Sequence, residues 1–197
     1  MLVGIVGSNA GSNSGSNAGV PAEGSNPLTI TVDDHMVLFF DGVQQVNLPN
    51  IDTATVPDTI ALPNNVSAIM VQGSSNGNYA GILGSDQDGR VTTSSAWKCT
   101  TTYDNGWLNS AYDDSSWPKA TAIVANDGTK YWSIINGIRT EAKWIWSPNY
   151  LAGGDNNVYC RCKPSAPATT KRRKSFKERY FKTCFTHTLL INSVPML

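Results

Sequence analysis

The chain has 197 residues, 40% of them hydrophobic and only 15% charged, with 15 basic and 15 acidic side chains in formal balance. That length supports one domain with a sizeable core plus appendages, and no stretch approaches the roughly 20 apolar residues that would span a bilayer. The zero net charge conceals a division. Leu28–Cys162 carries seven Lys or Arg against thirteen Asp or Glu, a net of −6, whereas from Lys163 onward eight bases face Glu178 alone, a net of +7. The acidic body gives no footing to a nucleic-acid partner, and the break in charge marks a boundary near Lys163.

Residues 1–27 form a Gly/Ser/Asn tract built on a repeated GSN phrase, with almost nothing to bury, so a disordered arm is expected there. The first residues lack a basic region, and Leu2–Val6 is too short for a signal-peptide core, so a secreted protein would need a start upstream of Met1. The folded domain is expected over 28–163. Leu28, Ile30 and Val32 alternate with polar residues, a second apolar run spans Met36–Phe40, and Asp41-Gly42 supplies a tight turn into Val43–Leu48. Pro49–Pro63 reads as a loop with a short strand at Asp58–Leu62. Val66–Gln72 and Tyr79–Gly84 read as strands, and Asp88-Gly89 turns the chain into Val91–Ser94.

The segment Ser95–Trp117 holds three of the six tryptophans and the densest acidic cluster. Beyond it, Thr121–Ala125 and Tyr131–Ile135 read as strands on either side of an Asp127-Gly128 turn. Lys143–Ser147 places Trp144 and Trp146 on one face and Ile145 on the other. Val158, Cys160 and Cys162 share one face of the last strand, opposite Tyr159 and Arg161. Turn signals recur about every 8 to 12 residues, which favours an all-β antiparallel sandwich with few, short helices. Residues 164–197 break the pattern: a linker, the run KRRKSFKERYFK with Ser175 as a candidate phosphorylation site, and an aperiodic apolar end. A poorly ordered tail is expected, not native to the domain; a genuine polybasic appendage for an anionic surface is the alternative.

Several phrases carry a resemblance. ITVDDHMVLFFDG, the run from NNVSAIMVQ through GILGSDQDGR to SSAWKC, GW with YDDSSWP, and AKWIWS followed by VYCRC are similar to galactose-binding-domain-like jelly rolls, over roughly Leu28–Lys163. The resemblance implies an eight-stranded jelly-roll β-sandwich of the kind found as lectin-like and non-catalytic modules in glycoside hydrolases and secreted surface proteins. It does not imply one ligand, because such a fold hosts sugar binders, lipid binders and spacers. Asp41 stands where the hairpin phrase usually has Asn.

Among candidate chemical groups, the adjacent Asp113 and Asp114 are poorly placed to flank one bond, so a turn-capping role is expected for this pair and no enzyme. Trp97, Trp117, Trp144 and Trp146 lie in strand-like or anchoring phrases and read as core. Trp107 and Trp132, in loops, are the candidates for exposed stacking on sugar faces, with Tyr103, Asp104, Asn105 and Arg139 as neighbours able to bind hydroxyls. A Cys99–Cys160 disulfide is expected, closing a loop of about 60 residues and stabilising by roughly 4 kcal/mol on chain entropy, with Cys162 as the alternative partner. Either pairing needs an oxidising compartment, and the Asn65-Val66-Ser67 sequon points the same way, towards an extracellular protein. Asp33-Asp34 and Asp86 with Asp88 are candidate ligands for a structural Ca²⁺. The leading reading is a secreted, non-catalytic carbohydrate-binding module with glycan or glycoprotein partners; the second is a structural or adhesive matrix module without a small ligand. Solvent exposure of Trp107 and Trp132 separates the two.

Overall fold

The computed structural model describes residues 26–46, 48–50, 52–77, 79–150 and 155–166; the arm at 1–25 and the tail beyond Ala166, with Ser175, lie outside these. Ten strands form two five-stranded antiparallel sheets, and no α-helix occurs among the described residues. In chain order they are β1 (Asn26–Asp33), β2 (His35–Phe40), β3 (Val43–Gln44), β4 (Asp58–Leu62) and β5 (Ile69–Ser74). There follow β6 (Gly81–Asp86), β7 (Lys98–Thr100), β8 (Thr121–Ala125), β9 (Lys143–Trp146) and β10 (Asn157–Cys162). One sheet runs β4-β1-β6-β9-β8 and the other β3-β2-β5-β10-β7. The count is ten where the resemblance implies eight, and two of the ten are very short, β3 with two residues and β7 with three.

The expected alternation builds the layer between the sheets. Leu28, Ile30 and Val32 of β1 meet Leu38, Ile69, Val71, Val158 and Cys160 from the other sheet in one fully buried cluster. Burying each such side chain stabilises by roughly 1.5–3 kcal/mol. β1 begins at Asn26, two residues before Leu28, because Asn26 and Pro27 pair with Leu62 and Ala61 of β4. Asp41 (φ 46°) and Gly42 (φ 83°) make the β2–β3 turn, both with positive φ as a type I′ hairpin requires. The Asp41 carboxylate accepts from Ser67 Oγ at 2.6 Å and from the Ala68 N–H at 2.8 Å, binding the turn to the start of β5.

Four expectations are corrected. Val43–Leu48 pairs only over Val43–Gln44, and Val91–Ser94 contributes a single bridge from Thr92 to Ser85. Tyr131–Ile135 is not a strand: Trp132 and Ile135 both turn inward to cover the outer face of the first sheet, a three-residue spacing that a pleated strand cannot present on one face. Trp144 and Trp146 belong to different layers. Trp144 joins the outer cluster with Trp132, while Trp146 crosses to the inter-sheet core, where Gly73 leaves its indole room. The bulge between Ala122 and Val124 lies opposite this part of β9 and shifts its register, which re-aims the side chains locally.

Each sheet therefore has an outer core as well as a share of the inner one. Leu83, Trp132, Ile135, Ile138, Ala142 and Trp144 close over the β4-β1-β6-β9-β8 sheet. Ala68, Met70, Trp107 and Trp117, with Phe39 and Tyr159 against them, close over the other. The Cys99–Cys160 disulfide is present and joins directly paired residues of β7 and β10. Among the described residues Cys162 is the free cysteine.

Candidate functional site

The six residues expected to hold a ligand do not converge. Tyr103, Asp104, Asn105 and Trp107 lie on the loop after β7, over the outer face of the second sheet. Trp107 is only 2% exposed, wedged edge-on against Phe39 at 5.7 Å and Tyr159 at 5.2 Å. Asp104 folds its own loop, accepting from the Gly106 N–H at 2.8 Å and from the Tyr112 hydroxyl at 3.1 Å. Tyr103 and Asn105 are exposed, and the Tyr103 ring rests edge-on against Tyr159.

Trp132 belongs to the outer cluster of the opposite sheet and is 8% exposed. Its ring stacks on Trp144 at 4.3 Å and its indole N–H donates to Asp33 Oδ2 at 2.8 Å. Arg139 binds elsewhere again: its guanidinium pairs with Glu141 and donates to the Gln87 carbonyl at 3.0 Å. The exposure that a sugar platform would need from Trp107 and Trp132 is thus absent, because the outer faces of both sheets are apolar and each face draws the nearest loop indole onto it. All six tryptophans are at most 8% exposed.

The paired carboxylates take separate structural roles. Asp113 accepts from the Ser115 N–H at 3.0 Å and closes a turn; this bond, with the Ser115 hydroxyl, holds its carboxyl below the usual carboxylate range. Asp114 binds Arg161 Nε at 3.1 Å. Arg161 is 1% exposed on the outward face of β10, where it also donates to the carbonyls of Trp107 and Asn109 and lies over the Tyr112 ring at 5.3 Å. It is the peg that pins the 101–118 loop. Sequence reasoning placed Arg161 on the correct face of β10 but had no sign that a loop would cover it.

A cavity of about 380 Å³ lies beside this peg, lined by Arg90, Lys98, Asp114, Arg161, Cys162 and Lys163 among others. Three of its cations, Arg90, Lys98 and Arg161, are already engaged. Arg90 donates to Asn64 Oδ1 and to the carbonyls of Pro63, Asn64 and Ser165, and Lys98 Nζ donates to the Trp117 carbonyl at 2.8 Å. Burial, with Asp86 and Asp114 nearby, pushes the Cys162 thiol up to about 12, so no nucleophilic thiolate forms there near neutral pH.

At the end of the sandwich where β1 meets β2, the structure assembles a group that no sequence motif announces. Tyr79, after β5, stacks on Tyr131, after β8, at 4.3 Å, and both rings are exposed. Trp132 lies edge-on to both. Burial raises the Asp33 carboxyl above its usual range, with the adjoining Asp34 acting in the same direction and the Trp132 hydrogen bond against it. Burial also raises the Tyr150 phenol, assisted by Tyr131, Asp33 and Tyr79 close by. Of the candidate Ca²⁺ ligands, Asp34 accepts from the Asn76 N–H at 2.7 Å. Asp86 is buried and accepts from Asn26 and from the Val91 N–H. Among the described residues no group of three or more His, Cys, Asp or Glu gathers around a point that could hold a metal ion. No protein family, curated protein or solved structure matches the chain.

Proposed function

We propose that the chain is a non-catalytic extracellular β-sandwich module with a structural or adhesive role. One observation carries this reading over the lectin alternative: Trp107 and Trp132, the two indoles available to a sugar platform, are 2% and 8% exposed and serve as packing. The carbohydrate reading keeps Tyr103, Asp104 and Asn105 on one loop and Arg139 on another; Asp104 is engaged within its own loop and Arg139 is paired with Glu141. The same proposal takes the two five-stranded sheets as a jelly roll of the galactose-binding-domain-like kind, supported by the phrases quoted above. Extracellular placement is supported by the Cys99–Cys160 disulfide, which persists only in an oxidising compartment, and by the exposed turn that carries Asn65. The test is a glycan array together with tryptophan-fluorescence titrations with simple sugars, with and without calcium. No saturable response is expected; a saturable shift in emission would overturn the reading in favour of a lectin.

A further inference from the structure

Tyr79 and Tyr131 stand 52 positions apart in the chain, yet their rings stack with centroids 4.3 Å apart and planes 30° from parallel. They are 45% and 55% exposed, so a dissolved oxidant reaches both phenols. The pair rests on a firm floor. Trp132 meets both rings edge-on, stacks on Trp144 and is tied to Asp33, and Gly81 gives both indoles room to approach β6.

We propose that Tyr79 and Tyr131 form a dityrosine modification site, at which a peroxide-driven one-electron oxidant joins the two rings and staples the loop after β5 to the loop after β8. Each phenol gives up one hydrogen atom, that is one electron and one proton, and becomes a phenoxyl radical. The radicals combine through a carbon ortho to each oxygen, forming one C–C bond. Each ring then regains aromaticity by passing the hydrogen on that carbon to its oxygen. The protein loses two hydrogens in all, and one hydrogen peroxide is reduced to two waters.

The geometry favours coupling within this pair over coupling between molecules. Centroids of two directly bonded rings are separated by two ring radii and one C–C bond, a sum close to the 4.3 Å already present. The rings need only turn about their own side-chain torsions, from stacked to edge-joined, while the strands stay in place. Holding the partners together makes the coupling effectively unimolecular, an advantage that two tyrosines meeting by diffusion lack. Tyr103 provides the internal comparison. It is 58% exposed, but its aromatic neighbour is Tyr159, edge-on at 5.5 Å and half-buried.

This inference goes beyond the module reading and does not depend on it, since its readout involves no glycan. The full chain is treated with a haem peroxidase and limiting hydrogen peroxide, then analysed by intact mass, dityrosine emission and mapping of linked peptides. The expected product is a monomer lighter by two hydrogens, with one linked pair containing Tyr79 and Tyr131. The link falls to background in Tyr79→Phe and in Tyr131→Phe and persists in Tyr103→Phe. Because phenylalanine keeps a ring in the stack, circular dichroism matching the parent shows that loss of the link reports the phenols and not the fold. A folded parent that yields no intramolecular link, a link mapped to other tyrosines, covalent dimers as the main product, or oxygen added to Trp132 instead would each overturn the proposal.

Discussion

The two outer faces of the sandwich are closed by the same device built from different chemistry. Over the second sheet, the 101–118 loop is pinned from below by a cation: Arg161 reaches out of β10 to the Trp107 and Asn109 carbonyls and to Asp114. Over the first sheet, the 126–142 loop is pinned by a neutral amide. Asn126 is 1% exposed and donates to the carbonyls of Ile135 and Ile138, both at 2.9 Å, while accepting from the Ile135 N–H at 2.8 Å. A buried cation carries a desolvation cost that its partners must offset, whereas a buried amide needs only its hydrogen bonds made. The comparison shows why removing one partner should hurt more on one face than on the other.

The largest expected effect follows from Arg161→Met, which keeps the apolar stem but strands Asp114 and two loop carbonyls. We expect a loss of about 3–5 kcal/mol in urea unfolding, the range for breaking a buried ion pair, with a red shift in Trp107 emission. Asn126→Ala should cost less, about 2 kcal/mol, for buried groups of Ile135 and Ile138 left unpaired. Equal losses in the two variants would show that charge is not what separates the two faces. Gly81→Ala tests how tightly the first face is packed. A Cβ there would lie 2.7 Å from the Trp144 ring, and overpacking of this kind costs about 1–3 kcal/mol; no loss would mean that the Trp132–Trp144 stack yields.

Smaller effects concern carboxylates. Asp58, 3% exposed, accepts from the Asn50 backbone and side chain, yet burial outweighs those bonds and raises its carboxyl above its ordinary value of 3.8. The folded chain therefore keeps this proton at pH values where the unfolded chain has released it. Its contribution to stability is complete below about 3.8 and is lost as pH rises through the folded value. Asp58→Asn should flatten that decline in unfolding curves taken across the acid range, and an unchanged slope would assign it to other groups. Asp113→Asn, at a fully exposed turn, is expected to leave the midpoint unchanged, whereas Asp114→Asn, facing Arg161, should lower it.

Legibility from sequence tracked how local the cause was. Leu28, Ile30 and Val32 alternate because one face of β1 is buried, so the inter-sheet layer was readable from residue spacing alone. A disulfide from Cys99 to the last strand was readable from the strand phrases, but the choice of Cys160 over Cys162 was not; it follows from the register that sets Cys99 directly opposite Cys160. The outer layers were not readable, since their signal lies in what covers a face. YWSII has the composition of a strand, but Trp132 and Ile135 pack as loop residues against Leu83 and Trp144. Trp107 follows an Asp-Asn-Gly turn, and nothing local says what would cover it; Met70 and Tyr159, remote in the chain, supply the wall that buries it. Tyr79 and Tyr131 meet only because both loops end at the same corner, which no single-strand pattern encodes.

The position of the disulfide has one more consequence. β7 is a three-residue strand paired to β10 over only Tyr159–Arg161, with the Cys99 N–H donating to the Pro118 carbonyl and a bridge from Lys98 to Lys119 on its other side. With Cys99 bonded covalently to Cys160 directly across the ladder, β7 cannot be displaced while the bond stands. The oxidised protein therefore has a sealed border on that side. Reduction would remove that covalent tie and leave β7 held by its backbone bonds alone.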